Sequence, residues 1–480
     1  MTPSDNPKKS TAGRIRTWLG GLLALLLFLA LAAWVVNTAV VEPMLRERLA
    51  DELDALLGEG TTVDREALRV EVDLAGGAVE IRNLSLRPDT AAAPSTSDAE
   101  DSARMLPDFS AFTDDPLRQL WLHCGRIRLA GIGPADLAGA ASASPADLLK
   151  GRTLTLSCTS LRWEPPGQPY RLAAASLRYA TSEGVFRADS LRLVPRFDEG
   201  EFARRVGVET DRIDLLLPRL ELQEVDQPAL VSGEGLRARI LRIDGMRLEV
   251  LRDKRLPGGQ PRVKPLPATR LRHLGIPLEV DSLYVSAEEI SYAEHRNLVD
   301  VPGRIRFTQV EARGGALSTL SPADLVLDLS ARFMGVAPVE ASAHFPVDSE
   351  QASHRLHGSV GALAMEAFNP QMQRLAFVRV HSGTLHRLDF NMTLDRQRSS
   401  GEVVMDYEGL SVEVMDRAHP DAAEGRALKS LLVNTLLVRA NNHEAPLRRG
   451  EVNFERLEEK SVFNYWWKSL LSGILDSIGL

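Results

Sequence analysis

The chain has 480 residues, 44% of them apolar and 25% charged, so it can bury a substantial core and is not a disordered polymer. Its formal net charge of -8 gives no general attraction for nucleic acid, whose phosphates call for a surplus of clustered Lys and Arg. Two cysteines exclude a disulfide framework and a zinc site of paired CxxC type; Cys124 and Cys158 remain either one bridge or two buried thiols.

Residues 1–17 form a basic tail containing Lys8, Lys9, Arg14 and Arg16. Residues 18–41 then carry no charge, and at 1.5 Å per residue such a helix covers about 36 Å, enough to cross a hydrocarbon core of about 30 Å. This run is too long for the apolar region of a cleaved signal and ends without a small-x-small cleavage site, so it reads as an uncleaved transmembrane helix. Basic residues on its N-terminal flank put the tail in the cytoplasm and the remaining chain outside. Residues 42–61 continue as a helical stalk, with Leu45, Leu49, Leu53, Leu56 and Leu57 at three- and four-residue spacing.

From residue 62 to 425 the pattern changes to alternation of period two, bounded by Gly, Pro, Asp and Ser, which predicts a long, mostly antiparallel β body. One unit recurs: two apolar residues at period two, a polar pair, then two more apolar residues at period two. It occurs at Val79, Ile81, Leu84 and Leu86; at Leu156, Cys158, Leu161 and Trp163; at Phe186, Ala188, Leu191 and Leu193; at Leu241, Ile243, Met246 and Leu248; and at Ile305, Phe307, Val310 and Ala312. Strict alternation would throw the two halves onto opposite faces, so a bulge or strand break at the polar pair is expected. One apolar face is then lined by Val79, Ile81, Leu84, Leu86, Leu156, Leu161, Leu241, Ile243, Met246, Leu248, Leu278, Val280, Leu283, Val285, Ile305 and Phe307. The tripeptides Ser160-Leu161-Arg162, Ser176-Leu177-Arg178 and Ser190-Leu191-Arg192 make the opposite face a solvated one, with Arg stems covering apolar surface. Stretches 88–116 and 253–267 read as loops. Residues 426–480 read as a helix, a strand and a last helix, the helix placing Phe463, Trp466, Trp467, Leu470, Leu471, Ile474 and Ile478 along one side. That stripe either closes the far end of the β body or lies in a membrane surface.

No phosphate-binding Gly loop, dinucleotide fingerprint or nucleophile elbow occurs. His354 and His357 share a face only on a helix, and His381 and His386 point opposite ways on one strand, so the expectation is no metal, no cofactor and no catalysis.

The overall arrangement, the stretch Val79-Glu80-Ile81-Arg82-Asn83-Leu84-Ser85-Leu86, and the C-terminal segments Asn369-Pro370, Gly383-Thr384-Leu385, Gly401-Glu402-Val403 and Tyr407-Glu408-Gly409-Leu410-Ser411-Val412 resemble the AsmA-like proteins of bacterial envelopes. These are related to the translocation and assembly module proteins and more distantly to bridge-like lipid transfer proteins. Ser461 to Ser469 is similar to the terminal helix of the Bacteroidota versions. The resemblance implies a curved sheet forming a trough, apolar inside and polar outside, that faces the periplasm from the bacterial inner membrane. It also implies phospholipid as partner and a role in lipid movement or outer-membrane integrity. The alternative expectation is a scaffold that binds envelope proteins through exposed strand edges.

Overall fold

Alternating apolar residues bury one side of each strand, and the chain pairs successive strands with their nearest neighbours. The computed structural model describes residue 50 and residues 61–73, 77–88, 120–131, 151–164, 167–232, 234–258, 263–272, 277–296, 301–319, 324–346, 353–376, 378–414 and 438–479. The predicted span 18–41, nearly all of the stalk, residues 89–116 of the first loop and residues 426–437 of the next-to-last helix lie outside them. Among the described residues no helix is long and apolar enough to cross a membrane.

The molecule is mainly β, and it divides into two compact units: Met1–Val206 with Leu216–Ile243 and Leu274–Asp281, and Gly207–Leu215 with Asp244–His273 and Ser282–Leu480. The first unit contains β1 (Thr61–Val63), β2 (Arg69–Asp73), β3 (Ala78–Pro88), β4 (Leu120–Ala130), β5 (Thr153–Trp163), β6 (Tyr170–Ala174), β7 (Ser176–Ala180) and β8 (Val185–Pro195). β3 pairs with β1, β2 and β4, β4 with β5, and β5 with β6 and β7, both of which pair with β8; every one of these ladders is antiparallel. Helices α1 (Glu199–Val206) and α2 (Gln227–Ser232) also belong here. Three long strands, β9 (Asp211–Gln223), β10 (Leu236–Asp253) and β11 (Leu278–His295), have residues in both units.

The second unit continues with α3 (Pro267–Arg272), β12 (Gly303–Gly314), β13 (Leu317–Ser318), β14 (Leu325–Phe333), β15 (Ala337–Phe345), β16 (His354–Val360) and β17 (Leu363–Ala364). A 3-10 turn (Met365–Phe368) and α4 (Asn369–Ala376) lead to β18 (Val378–Leu394), β19 (Arg398–Val414), β20 (Arg449–Glu455) and the terminal helix α5 (Val462–Ile478). The antiparallel order runs β11, β12, β14, β15, β16, β18, β19, β20.

The polar pair of the repeat is where the ladders are interrupted. Between β3 and β4 the pairing passes from Arg82 opposite Arg126 to Leu84 opposite Cys124, skipping Asn83 and Gly125, one residue on each strand, so the register itself is kept. Asn83, Ser190, Gly245 and Gln309, each the second residue of its polar pair, have φ of 56°, 52°, 72° and 51°. In the copy on β5 the register steps from Cys158 opposite Cys124 to Ser160 opposite His123, leaving Thr159 over. A residue in the left-handed region at that point turns the following side chain back to the same face, and Gly or Asn tolerates that backbone best. Ile81, Leu84 and Leu86 are therefore all 1% exposed despite their odd spacing.

Cys124 and Cys158 are direct cross-strand partners on β4 and β5 and form a disulfide, which resolves the two alternatives that sequence left open. The bond closes a segment of 34 residues' separation, which in the chain-entropy account stabilises the first unit by roughly 3 to 4 kcal/mol. The double variant Cys124→Ala, Cys158→Ala is expected to lose about that much in a denaturant titration, and reductant should have the same effect on the parent protein alone. A midpoint indifferent to reductant would show that the bond does not form.

Candidate functional site

In the first unit the register builds apolar rows across the strands. Ile81 on β3 stands opposite Ile127 on β4, Ile127 opposite Leu156 on β5, Leu156 opposite Tyr179 on β7, and Tyr179 opposite Phe186 on β8. A second row passes through Leu86, Leu122, Leu161 and Ala174, and a third through Leu84, Cys124, Cys158, Leu177 and Ala188. The rows are sealed at β3 and β4, where Ile81, Leu84, Leu86 and Ile127 are buried. Toward β5 to β8 they keep partial contact with solvent, because Leu156, Leu161, Leu172, Leu177 and Phe186 are only partly covered.

The residues expected to line one face thus have different roles. Ile81, Leu84, Leu86 and Val280 are fully enclosed and serve as floor, while Leu156, Leu161 and Leu241 pack on the first unit's core and remain partly exposed. Ile243 and Leu278 are half-buried in the same unit, and the side chain of Val79 lies outside the described residues. Met246, Leu248, Leu283, Val285, Ile305 and Phe307 belong to the second unit. There Met246 and Phe307 pack on a small cluster of Ala287, Val310, Ala331 and Val339, with Phe307 5.3 Å from Phe333 and Phe333 5.0 Å from Phe368. Ile305 is buried, and Leu248, Leu283 and Val285 are half-buried.

The other face of the first unit carries the charge. Arg82, Arg126, Ser157, Arg178 and Arg187 occupy successive strands in one row. Glu80 Oε1 accepts from Arg82 Nε at 2.6 Å and lies 2.8 Å from Arg126 Nε; burial pushes its carboxyl up, but the two guanidiniums outweigh burial and hold it below the usual range. Hydrogen bonds from Gln223 and from Arg187 likewise depress Glu221. Arg162 stacks over Trp121 at 5.0 Å, so the arginine stems cover outer apolar surface as the Ser-Leu-Arg tripeptides suggest.

Sequence reasoning missed Tyr179. Its ring lies in the first apolar row, its hydroxyl is buried without a hydrogen bond, and burial first and Asp226 second push its pKa up to about 12. The phenol therefore stays protonated, a donor within an otherwise apolar face.

The terminal helix packs on β19 and β20, and the side it buries coincides only in part with the expected stripe. Tyr465, Ser469, Gly473 and Ser477, at four-residue intervals, face the sheet, whereas Val462, Trp466, Leu470 and Ile474 flank them in the same core and Ile478 is buried at the end. Trp467 and Leu471 are half-buried, and Phe463 lies 5.5 Å from Tyr292. Small residues face inward because the backbones meet: a Cβ on Gly450 of β20 would sit 1.9 Å from the Gly473 carbonyl oxygen. Trp466 donates from Nε1 to His354 Nε2 at 2.7 Å, which makes His354 a core histidine stacked on Phe345. His357 is exposed, and His381 pairs with Glu413 at 3.0 Å.

No protein-family model matches the chain, and no curated protein matches it either.

Proposed function

We propose that this protein handles lipid at a bacterial envelope, without covalent chemistry. In this reading residues 18–41 anchor it in the inner membrane, the β body stands in the periplasm, and the partly covered rows from β5 to β8 hold acyl chains while head groups remain in water. The observation that carries the proposal is the set of apolar cross-strand rows, enclosed at one end and partly open at the other. Each methylene withdrawn from water onto such a face contributes about 0.8 kcal/mol, so a chain can be retained without a specific polar site. Two further features support it. A disulfide suits an oxidising compartment rather than the cytoplasm, and the AsmA-like resemblance implies the same ligand class.

Leu161 and Arg162 are adjacent and face opposite ways, so they form a matched pair for a test. With a photocrosslinking residue at position 161, the full-length protein in mild detergent is expected to capture phospholipid; with the same residue at 162 it should not. Equal capture at both positions would overturn the proposal, and so would a stoichiometric protein partner without lipid at 161, which would favour the scaffold instead.

A further inference from the structure

Three side chains that are remote in sequence meet on the outer face of the second unit. His386 on β18, Glu408 on β19 and His443 just before β20 each bring one ligand atom within 4.8 Å of the others. His386 arrives there because the β18–β19 register slips between Leu385 and Arg387, leaving it as the extra residue of a bulge. His443 is delivered by a segment pinned along β19. The Leu410 amide donates to the Ala440 carbonyl at 2.8 Å, the Gly409 amide to Asn441 Oδ1 at 2.7 Å, and the Asn442 amide to the Tyr407 carbonyl at 2.8 Å. The buried Asn442 side chain locks that segment further, bonding to Met405 O at 2.6 Å and accepting from the Arg448 amide at 2.8 Å.

We propose that His386, Glu408 and His443 form a binding site for a divalent transition metal, zinc in the first instance. Four observations converge. His386 Nε2 is shielded from solvent yet makes no hydrogen bond, a rare state for a buried polar atom. Its nearest carboxylate oxygen, Glu408 Oε1, is 3.4 Å away. Ligands held at about 2.0 to 2.1 Å around a tetrahedral zinc stand about 3.3 to 3.4 Å apart, so this pair already has the required spacing. The rings of His386 and His443 lie 4.6 Å apart, tilted by 37°, and all three ligand atoms are within 4.8 Å of one another, so closing to tetrahedral spacing needs a movement of about 1.5 Å at most.

The fourth observation is Asp406. Its Oδ1 lies 2.5 Å from His443 Nδ1, so the imidazole donates there and Nε2 is the nitrogen left to take a metal. A carboxylate that fixes the tautomer of a ligating histidine is the usual supporting partner of a protein zinc site, which makes Asp406 a positioning residue. Two imidazoles and one carboxylate leave a fourth position for water, and mixed N and O donors suit zinc better than magnesium or calcium. The metal would tie the β18 bulge, β19 and the segment entering β20 together. This proposal is independent of the lipid reading.

The test uses the full-length chain without a histidine tag, stripped with chelator and titrated with zinc chloride against a chromophoric competitor. One tight zinc per chain is expected, with cobalt giving the visible absorption of a tetrahedral site. His386→Ala, His443→Ala and Glu408→Gln should each weaken zinc by about 100-fold or more, and Asp406→Asn by roughly 10- to 100-fold. His381→Ala, on the same strand but paired with Glu413, should leave the affinity unchanged. Glu408→Gln is exposed and isosteric, so it should melt like the parent in metal-free buffer and separates loss of metal from loss of fold. Absence of stoichiometric zinc would overturn the proposal. So would stoichiometric zinc that survives the double variant His386→Ala, His443→Ala, which would assign the ion to another surface.

Discussion

Gly450→Val is expected to dislodge α5 from β20 and to destabilise the second unit by at least about 3 kcal/mol. The reason is backbone proximity. A Cβ at 450 would stand 1.9 Å from the Gly473 carbonyl oxygen and 2.7 Å from the Ser477 amide nitrogen, contacts that no side-chain rotation relieves. The helix must move away, exposing Val403, Val452 and Met405 on the strands and its own Tyr465. Gly473→Ala separates two opposing effects. Alanine gains about 1 kcal/mol over glycine as a helix former, but its methyl would meet Val403 Cγ2 at 2.6 Å and Val452 Cγ2 at 2.9 Å. Overpacking of that kind costs about 1 to 3 kcal/mol, so a modest net loss is expected, whereas Gly473→Leu should behave like Gly450→Val. Leu475, on the opposite side of the helix and exposed, provides the control: Leu475→Ala should stay within about 0.5 kcal/mol. Denaturant titration of the full chain, with hydrogen exchange followed across β19, β20 and α5, reads all four. A Gly450→Val protein with parental protection in α5 would mean that the helix does not rest on β20.

That contact also marks the limit of what the sequence disclosed. Strands were legible because period two is carried by large apolar residues, and the bulges because inserted pairs such as Asp189-Ser190, Asp244-Gly245 and Asp281-Ser282 are turn or bulge formers. The buried side of α5 was legible only in part: Trp466, Leu470, Ile474 and Ile478 join the core, but a hydrophobic stripe also gives weight to Phe463, Trp467 and Leu471 and none to Ser469, Gly473 and Ser477. Close backbone packing selects those small residues for what they lack. The short helices α1 and α2, of eight and six residues, span too few turns to register a period. The His386–Glu408–His443 group was hidden for another reason. Regular alternation sets His386 against His381 on one strand, and neither the bulge that re-aims His386 nor the return of the chain along β19 leaves any mark at the position of the histidine itself. Likewise the pairing of Cys124 with Cys158 depends on a register between β4 and β5 that bulges have shifted, and spacing alone does not contain it.

The distinction between enclosed and partly exposed apolar residues yields the second large effect, because a carboxylate introduced in each place should fail for a different reason. Leu84 is 1% exposed between Cys124 and the rest of the first core, with the arginines of its strand and its neighbours on the other face. Leu84→Asp loses the buried side chain, about 2 to 5 kcal/mol for a truncation alone. It also buries a charge without a partner at a further cost of several kcal/mol. Against a typical domain stability of about 5 to 15 kcal/mol that sum is ruinous, so the first unit should not fold. Leu84→Met, which keeps volume and polarity, should cost less than about 1.5 kcal/mol. Leu161 sits in the neighbouring row opposite Leu122 and Ala174 but keeps contact with solvent, so an aspartate there stays hydrated and the fold should survive. What Leu161→Asp should abolish is retention of phospholipid through purification, because an acyl chain laid on that row must strip water from the carboxylate. Arg162→Ser, one residue along and facing the other way, should preserve both fold and lipid. Native mass spectrometry paired with a melting curve reads the four side by side. If Leu161→Asp folds and keeps its lipid, the rows from β5 to β8 are not where lipid binds; if it fails to fold as Leu84→Asp does, position 161 is floor rather than surface.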